Sequence, residues 1–86
     1  MKITITKTIQ ETHELDLPAY RKNICYYYKI ISETQAIQVN FGEGMESIGI
    51  AYTSVALNAA GEAGNQEEFD AMFNKAFTLI SEKASI

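Results

Sequence analysis

The sequence has few of the features that mark secreted or membrane proteins. It contains a single cysteine, Cys25, so no disulfide bond can form within the chain, which is typical of a reducing compartment. Its N-terminus lacks a signal-peptide pattern, and no apolar run approaches the roughly 20 residues of a membrane span. These features predict a cytoplasmic protein that does not associate with membranes.

Basic residues are scarce as well. The chain has 7 Lys and Arg against 11 Asp and Glu, a formal net charge of −4. Residues 44–86 carry two of the bases and six of the acids. Non-specific nucleic-acid binding depends on Lys and Arg that neutralise phosphates, so this balance disfavours direct binding to nucleic acid. It favours a basic protein surface as the partner.

The composition is typical of one small globular domain spanning residues 1–86. The chain is 47% hydrophobic and 21% charged. A chain of this length buries only about 60% of its unfolded surface, so association with a copy of itself or with another protein would add stability.

Alternating hydrophobicity predicts most of the secondary structure. Isoleucine and leucine occupy odd positions through residues 3–17, which predicts a strand over about 2–17 that ends at Pro18. Further strands are expected over about 24–32, 36–41 and 46–53. Residues 19–23 are expected to be a connection, and residues 54–60 either a short helix capped by Ser54 or an irregular linker.

The C-terminal segment predicts a long amphipathic helix over about 66–83. Asn65 can cap this helix, with Glu68 three positions later completing a capping box. Apolar residues follow at helical spacing: Phe69, Met72, Phe73, Ala76, Phe77 and Ile80. The expected fold is therefore α+β, an antiparallel sheet of three to four strands with one long C-terminal helix packed on one face.

The first strand is longer than the sheet that it would join. Lys7, Glu11 and His13 interrupt its apolar face, so it either bends over the sheet at a bulge or projects beyond it. A projecting strand would pair with the equivalent strand of another subunit. The preferred prediction is a homodimer through the N-terminal strand, with a bent strand in a monomer as the alternative.

Catalytic patterns do not emerge from the remaining residues. His13 is the only histidine and has no evident nucleophile beside it, and Cys25 lies among apolar residues as a small core side chain would. The glycine-rich stretches at 42–44 and 61–68 do not have the spacing of phosphate-binding loops. The prediction is a protein that is not an enzyme and that uses neither a metal nor another cofactor.

Tyrosines and acids provide the candidate binding residues. Five tyrosines occur in the chain, and they can serve as core residues, as protein-interface residues or as platforms for stacked bases. Base stacking, the last of these roles, would also use the positively charged residues near the tyrosines. The candidate partner-binding or ligand-binding residues are Tyr20, Arg21, Lys22, Tyr27, Glu67, Glu68 and Asp70.

Three stretches carry a resemblance: "LDLPAY", "CYYYKIISETQAIQV" and "EEFDAMFNKA". With them the chain resembles small proteins of unassigned function found in bacteriophages and in prophage-bearing gut bacteria, over most of residues 3–41 and the final helix. The resemblance implies a protein that acts in the host cell cytoplasm. Small acidic phage proteins often bind and block a host protein, including defence enzymes, or sequester a defence signal.

Two functions from different classes follow. The first is a non-enzymatic interaction protein, an inhibitor of a host defence protein if the chain is phage-encoded, that docks through its acidic helix face or its tyrosine-bearing sheet. The alternative is a small-ligand binder that sequesters a nucleotide-like molecule at an oligomer interface, with tyrosines stacking and Arg21 and Lys22 holding phosphate.

Overall fold

The computed structural model describes residues 2–8 and 11–84, and it confirms the α+β class. The strands and helices in chain order are β1 (Lys2–Thr8), β2 (Glu11–Asp16), β3 (Ala19–Lys22), β4 (Tyr26–Ile30), β5 (Gln35–Asn40), β6 (Ser47–Tyr52), α1 (Thr53–Ala59), β7 (Glu62–Ala63) and α2 (Gln66–Ala84). Neither helix in this described part is long and apolar enough to cross a membrane.

The main sheet has five strands rather than three or four. Its order is β6-β5-β4-β3-β7, and every neighbouring pair is antiparallel. The additional strands are β3, where a connection was expected, and the two-residue β7. Both are too short and too polar to show an alternating apolar pattern, so pairing with their neighbours, and not sequence preference, makes them strands.

The expected single strand over 2–17 is instead two strands. β1 and β2 pair with each other antiparallel, from Lys2 opposite Asp16 to Thr8 opposite Glu11, with a register irregularity between Thr6 and Thr8. Both strands keep the alternation that the sequence shows, which is why one continuous strand was predicted. The surplus length is therefore used within the chain, and the reason for expecting a projecting N-terminal strand is removed.

The two faces of the main sheet are covered by different elements. Tyr27 and Val39 pack with Phe69 and Ala76 of α2, and we call this side the α2 face. The alternate residues of the same strands point the other way. They pack with α1 and with the paired residues Ile3 and Leu15 of the β1–β2 hairpin, and we call this side the α1 face.

Helix α1 begins one residue earlier than expected and without a side-chain cap. Tyr52 occupies its N-cap position, so Ser54 does not cap the helix. Thr53 is fully buried instead, and its hydroxyl donates a hydrogen bond to the Ser32 carbonyl over 2.9 Å. The start of α1 is thus fixed by the turn between β4 and β5.

Candidate functional site

Four of the predicted binding residues meet at the start of α2. Tyr20 and Lys22 of β3 and Tyr27 of β4 lie on the α2 face, because Lys22 is directly opposite Tyr27 in the β3–β4 pairing. The rings of Tyr20 and Tyr27 lie 5.7 and 5.8 Å from the Phe69 ring. Glu68, one residue before Phe69, completes the group. The four residues therefore surround the first turn of the helix.

Asn65 caps this first turn, as the sequence predicts, but Glu68 bonds to the Asn65 side chain and not to its backbone N–H, so the reciprocal bond of a capping box is replaced. The Asn65 side-chain oxygen accepts a hydrogen bond from the Glu68 backbone N–H at 2.8 Å, and the Asn65 amide donates to the Glu68 carboxylate at 2.7 Å. The Tyr27 hydroxyl accepts from the Asn65 N–H at 2.8 Å and donates to the Asn65 carbonyl at 3.3 Å. Sheet and helix are joined at this point.

Lys22 completes the network through an ion pair. Its Nζ lies 3.0 Å from Oε2 of Glu68. The hydrogen bond to Glu68 raises the pKa of Lys22, against a smaller lowering by desolvation, and the charges of Glu68 and Glu62 raise this pKa further. Lys22, Glu68 and Tyr27 are thus bonded to other groups of their own chain. These contacts connect the start of α2 to the sheet.

The remaining predicted binding residues do not join this group. Arg21 points to the α1 face, because consecutive residues of a strand point to opposite sides of the sheet. Arg21 and Lys22 therefore do not form the phosphate clamp expected for the ligand-binding alternative. Glu67 and Asp70 are exposed on the outer side of α2, away from the sheet.

Among the described residues, the side chains considered for catalysis or metal binding do not form a cluster. Cys25 is a half-buried free thiol, and its N–H donates to the side-chain oxygen of Asn23 at 2.8 Å. The side chain of His13 lies outside the described residues. No group of three or more His, Cys, Asp and Glu that could hold a metal ion occurs among the side chains that are described.

The most exposed apolar part of the main sheet lies along β6. Ile50 and Tyr52 are 65% and 72% exposed, although both point to the α2 face. Helix α2 leaves them uncovered because of its course. It starts over β3 and β4, where Phe69 contacts Tyr20 and Tyr27. Farther along, Ala76 belongs to the apolar cluster against which Ile48 packs, and Ile48 lies toward the opposite end of β6 from Tyr52.

Glu46, the residue before β6, has a lowered pKa. Hydrogen bonds from the backbone N–H groups of Glu46 and Gly44 are the main cause of its lowered pKa, and the charges of Lys83 and Lys75 of α2 lower the pKa further. The packing of Ile48 in the cluster with Ala76 places α2 over the Ser47 half of β6, and the exposed Ile50 and Tyr52 leave the other half open.

Strand β6 was predicted as a strand but not as a functional site. The sequence does contain a signal, because its six residues include no charge and no proline, and such a strand is not protected against pairing with another chain. Its position at the sheet edge is visible only once the pairing order is known. An open depression of about 250 Å³ adjoins this edge, lined by Gln35, Ile50, Ala51 and Tyr52.

Comparison with known proteins adds no relative to this picture. No protein-family model, curated protein or solved structure shows significant similarity to the chain.

Proposed function

We propose that this chain is a non-enzymatic interaction protein that binds another polypeptide as an added strand on the edge of β6. The observation that carries the proposal is the open β6 edge, with Ile50 and Tyr52 exposed beside it. Strand addition to an open edge takes affinity from backbone hydrogen bonds and specificity from alternate side chains. Both components are available at β6.

The polar cluster at the start of α2 has a structural role in this proposal. Lys22, Glu68, Tyr27 and Asn65 satisfy one another within the chain. A binding or catalytic group would have to break these contacts before it could hold a substrate. This assignment favours an interaction protein over an enzyme or a nucleotide binder.

The surface charge of the chain favours some classes of binding partner over others. Glu62, Glu67 and Asp70 are exposed around the start of α2, and the net charge of the whole chain is −4. This charge slows the approach of other acidic molecules and favours neutral or basic ones. Together with the resemblance to phage proteins, this charge supports a host protein as a partner. The proposed biological role is inhibition of a host defence protein.

Association through the N-terminal strand has less support than association through β6. The backbone groups of β1 that face β2 are used in the hairpin. The chain therefore does not need a second subunit to pair the surplus length of its N-terminal segment.

The experiment that tests the proposal compares three immobilised baits in a host lysate. These are the unmodified chain, Ile50→Lys on β6, and Thr78→Lys on the exposed outer side of α2 as the matched charge control. Each protein that is recovered is identified, purified and titrated against the same three chains. We expect a partner that binds the unmodified chain and Thr78→Lys with equal affinity and binds Ile50→Lys at least ten-fold more weakly.

Two outcomes would contradict the proposal. One is a partner whose affinity is unchanged by Ile50→Lys, which would place its binding surface elsewhere. The other is the absence of any partner that survives purification, combined with a chain that does not associate with itself.

A further inference from the structure

The hydrogen-bonding direction of each β6 residue can be assigned from the structure. The Thr53 N–H donates to the Thr34 carbonyl at 3.0 Å, across the end of the β5–β6 pair. Alternate residues of an antiparallel strand direct their backbone groups to the same neighbour. Ser47, Gly49 and Ala51 therefore face β5, and the backbone groups of Ile48, Ile50 and Tyr52 face the open side.

The β6 edge lacks the devices that usually protect such an edge. The strand pairs with β5 over its full length without a bulge, and it contains no charged residue and no proline. The opposite edge of the main sheet is β7, whose two residues offer little to pair with. The two edges of the same sheet thus differ sharply in their capacity for strand addition.

Gly49 is a second and independent indication that another strand pairs with β6. Its φ is not positive, and a Cβ added there would meet nothing within 4 Å, so neither backbone conformation nor packing within the chain requires glycine. Glycine weakens the interior of a strand and often marks a position where another backbone approaches closely. Gly49 lies in the middle of the open strand.

We infer that the strand added to β6 is β6 of a second copy of this chain, antiparallel, about a two-fold axis between the two Ile50 residues. The inference rests on the proposed function and names the partner of that site. In this register each Ile50 faces the other, and each Ile48 faces Tyr52 of the second copy. All three pairs join residues whose backbone groups point outward, so each pair exchanges two hydrogen bonds.

Side chains on both sides of the sheet fit this register. On the α2 face the exposed Ile50 and Tyr52 gain apolar neighbours from the second copy. On the α1 face Gly49 lies opposite Ala51, so two small residues meet and the strands can approach without obstruction. A register centred on Gly49 would pair Ile48 with Ile50 and leave Tyr52 unpaired, with fewer hydrogen bonds.

The charges of the two copies do not meet at this edge. Two copies that each carry −4 repel each other, but β6 itself contributes no charge. The nearest acid along the chain, Glu46, lies outside β6 and therefore outside the proposed strand pair. Like charges therefore do not face each other across the new strand pair. The product is an isologous dimer with a continuous ten-stranded sheet.

Sedimentation of the full chain over a range of concentrations tests the inference. We expect the unmodified chain and Thr78→Lys to form dimers with similar dissociation constants. Ile50→Lys places two lysines on the two-fold axis, and we expect it to weaken the dimer at least 100-fold. Circular dichroism and the urea midpoint should remain near those of the unmodified chain, since Ile50 is 65% exposed.

Cross-linking tests the register and does not depend on the stability of the lysine variant. In a Cys25→Ser background, Ile50→Cys places two thiols across the two-fold axis, whereas Val55→Cys places an exposed thiol on α1 as the control. We expect oxidation to convert Ile50→Cys into disulfide-linked dimers at least ten-fold faster than Val55→Cys. Equal rates would overturn the register, and a monomeric unmodified chain at all concentrations would overturn the dimer.

The two proposals fail in different ways. If the chain is monomeric but a purified partner protein loses affinity on Ile50→Lys, the strand on β6 belongs to that partner. Self-pairing is then wrong and the proposed function stands. If the chain is monomeric and no partner depends on Ile50, both are wrong.

Discussion

At the scale of single residues, the contact between Gly64 and Tyr27 holds the start of α2 against the sheet. A Cβ at Gly64 would overlap the Tyr27 hydroxyl and the adjacent ring carbons. This close approach allows the Tyr27 hydroxyl to reach both backbone groups of Asn65. Glycine is required at this position for space, since its φ is not positive.

We therefore predict that Gly64→Ala lowers the free energy of unfolding by about 1–3 kcal/mol, because Tyr27 must move and its hydrogen bonds weaken. Gly61→Ala is the matched control, since a Cβ there meets nothing within 4 Å. Its effect should stay within about 0.5 kcal/mol. Urea unfolding of the two variants measures both values, and equal destabilisation would show that the contact with Tyr27 does not matter.

The contacts between the start of α2 and the sheet were only partly predictable from sequence. The cap formed by Asn65 and its contact with Glu68 could be predicted, because an N-cap motif is local and has a fixed spacing. The ion pair between Lys22 and Glu68 could not be, because it joins residues 46 positions apart and depends on β3 being a strand. The prediction of Lys22 and Tyr27 as binding residues was made without these contacts within the chain, which only the structure shows.

At the scale of elements, helix α2 is amphipathic along its length but buried over only part of it. Phe69 is buried between Tyr20 and Tyr27, whereas Phe77, two turns later, is 57% exposed. Phe73 lies between them and stacks on Phe77, with ring centroids 6.3 Å apart. The apolar stripe thus continues beyond the sheet surface that it covers.

This difference predicts unequal effects of the same substitution in one helix. Phe69→Ala should lower the free energy of unfolding by about 3–5 kcal/mol, because it leaves a cavity in the core. Phe77→Ala should cost about 1 kcal/mol or less, since most of that ring is already in water and alanine favours the helix. Urea denaturation of both variants provides the comparison, and similar losses would mean that the stripe is covered along its whole length.

Elements were predictable where the pattern is long and local. The α+β class and the existence of α2 followed from periodicity and capping. The N-terminal hairpin could not be found in this way, because β1 and β2 share one alternation and only their mutual pairing separates them. The order of strands in the sheet, which makes β6 an edge, depends on contacts between distant residues and has no local signature.

At the scale of the whole molecule, two forces act in opposite directions on a β6–β6 dimer. Strand pairing and the burial of Ile50 and Tyr52 favour association, while the charge of −4 on each copy opposes it. The opposing force is long-range and screened by salt, with a Debye length of about 30 Å at 0.01 M and about 10 Å at 0.1 M. Strand pairing through uncharged backbone and apolar groups does not depend on salt concentration to a comparable extent.

Dimerisation should therefore strengthen as salt is raised. Between about 0.02 and 0.2 M NaCl, we expect the dissociation constant of the unmodified chain to fall several-fold, because screening removes repulsion between the copies. The double variant Glu67→Lys/Asp70→Lys brings the formal net charge from −4 to zero and leaves the Lys22–Glu68 pair in place. It should dimerise more tightly at low salt and respond little to NaCl. Weakening of the unmodified dimer by salt would instead indicate an interface held by ion pairs, which the uncharged β6 edge cannot supply.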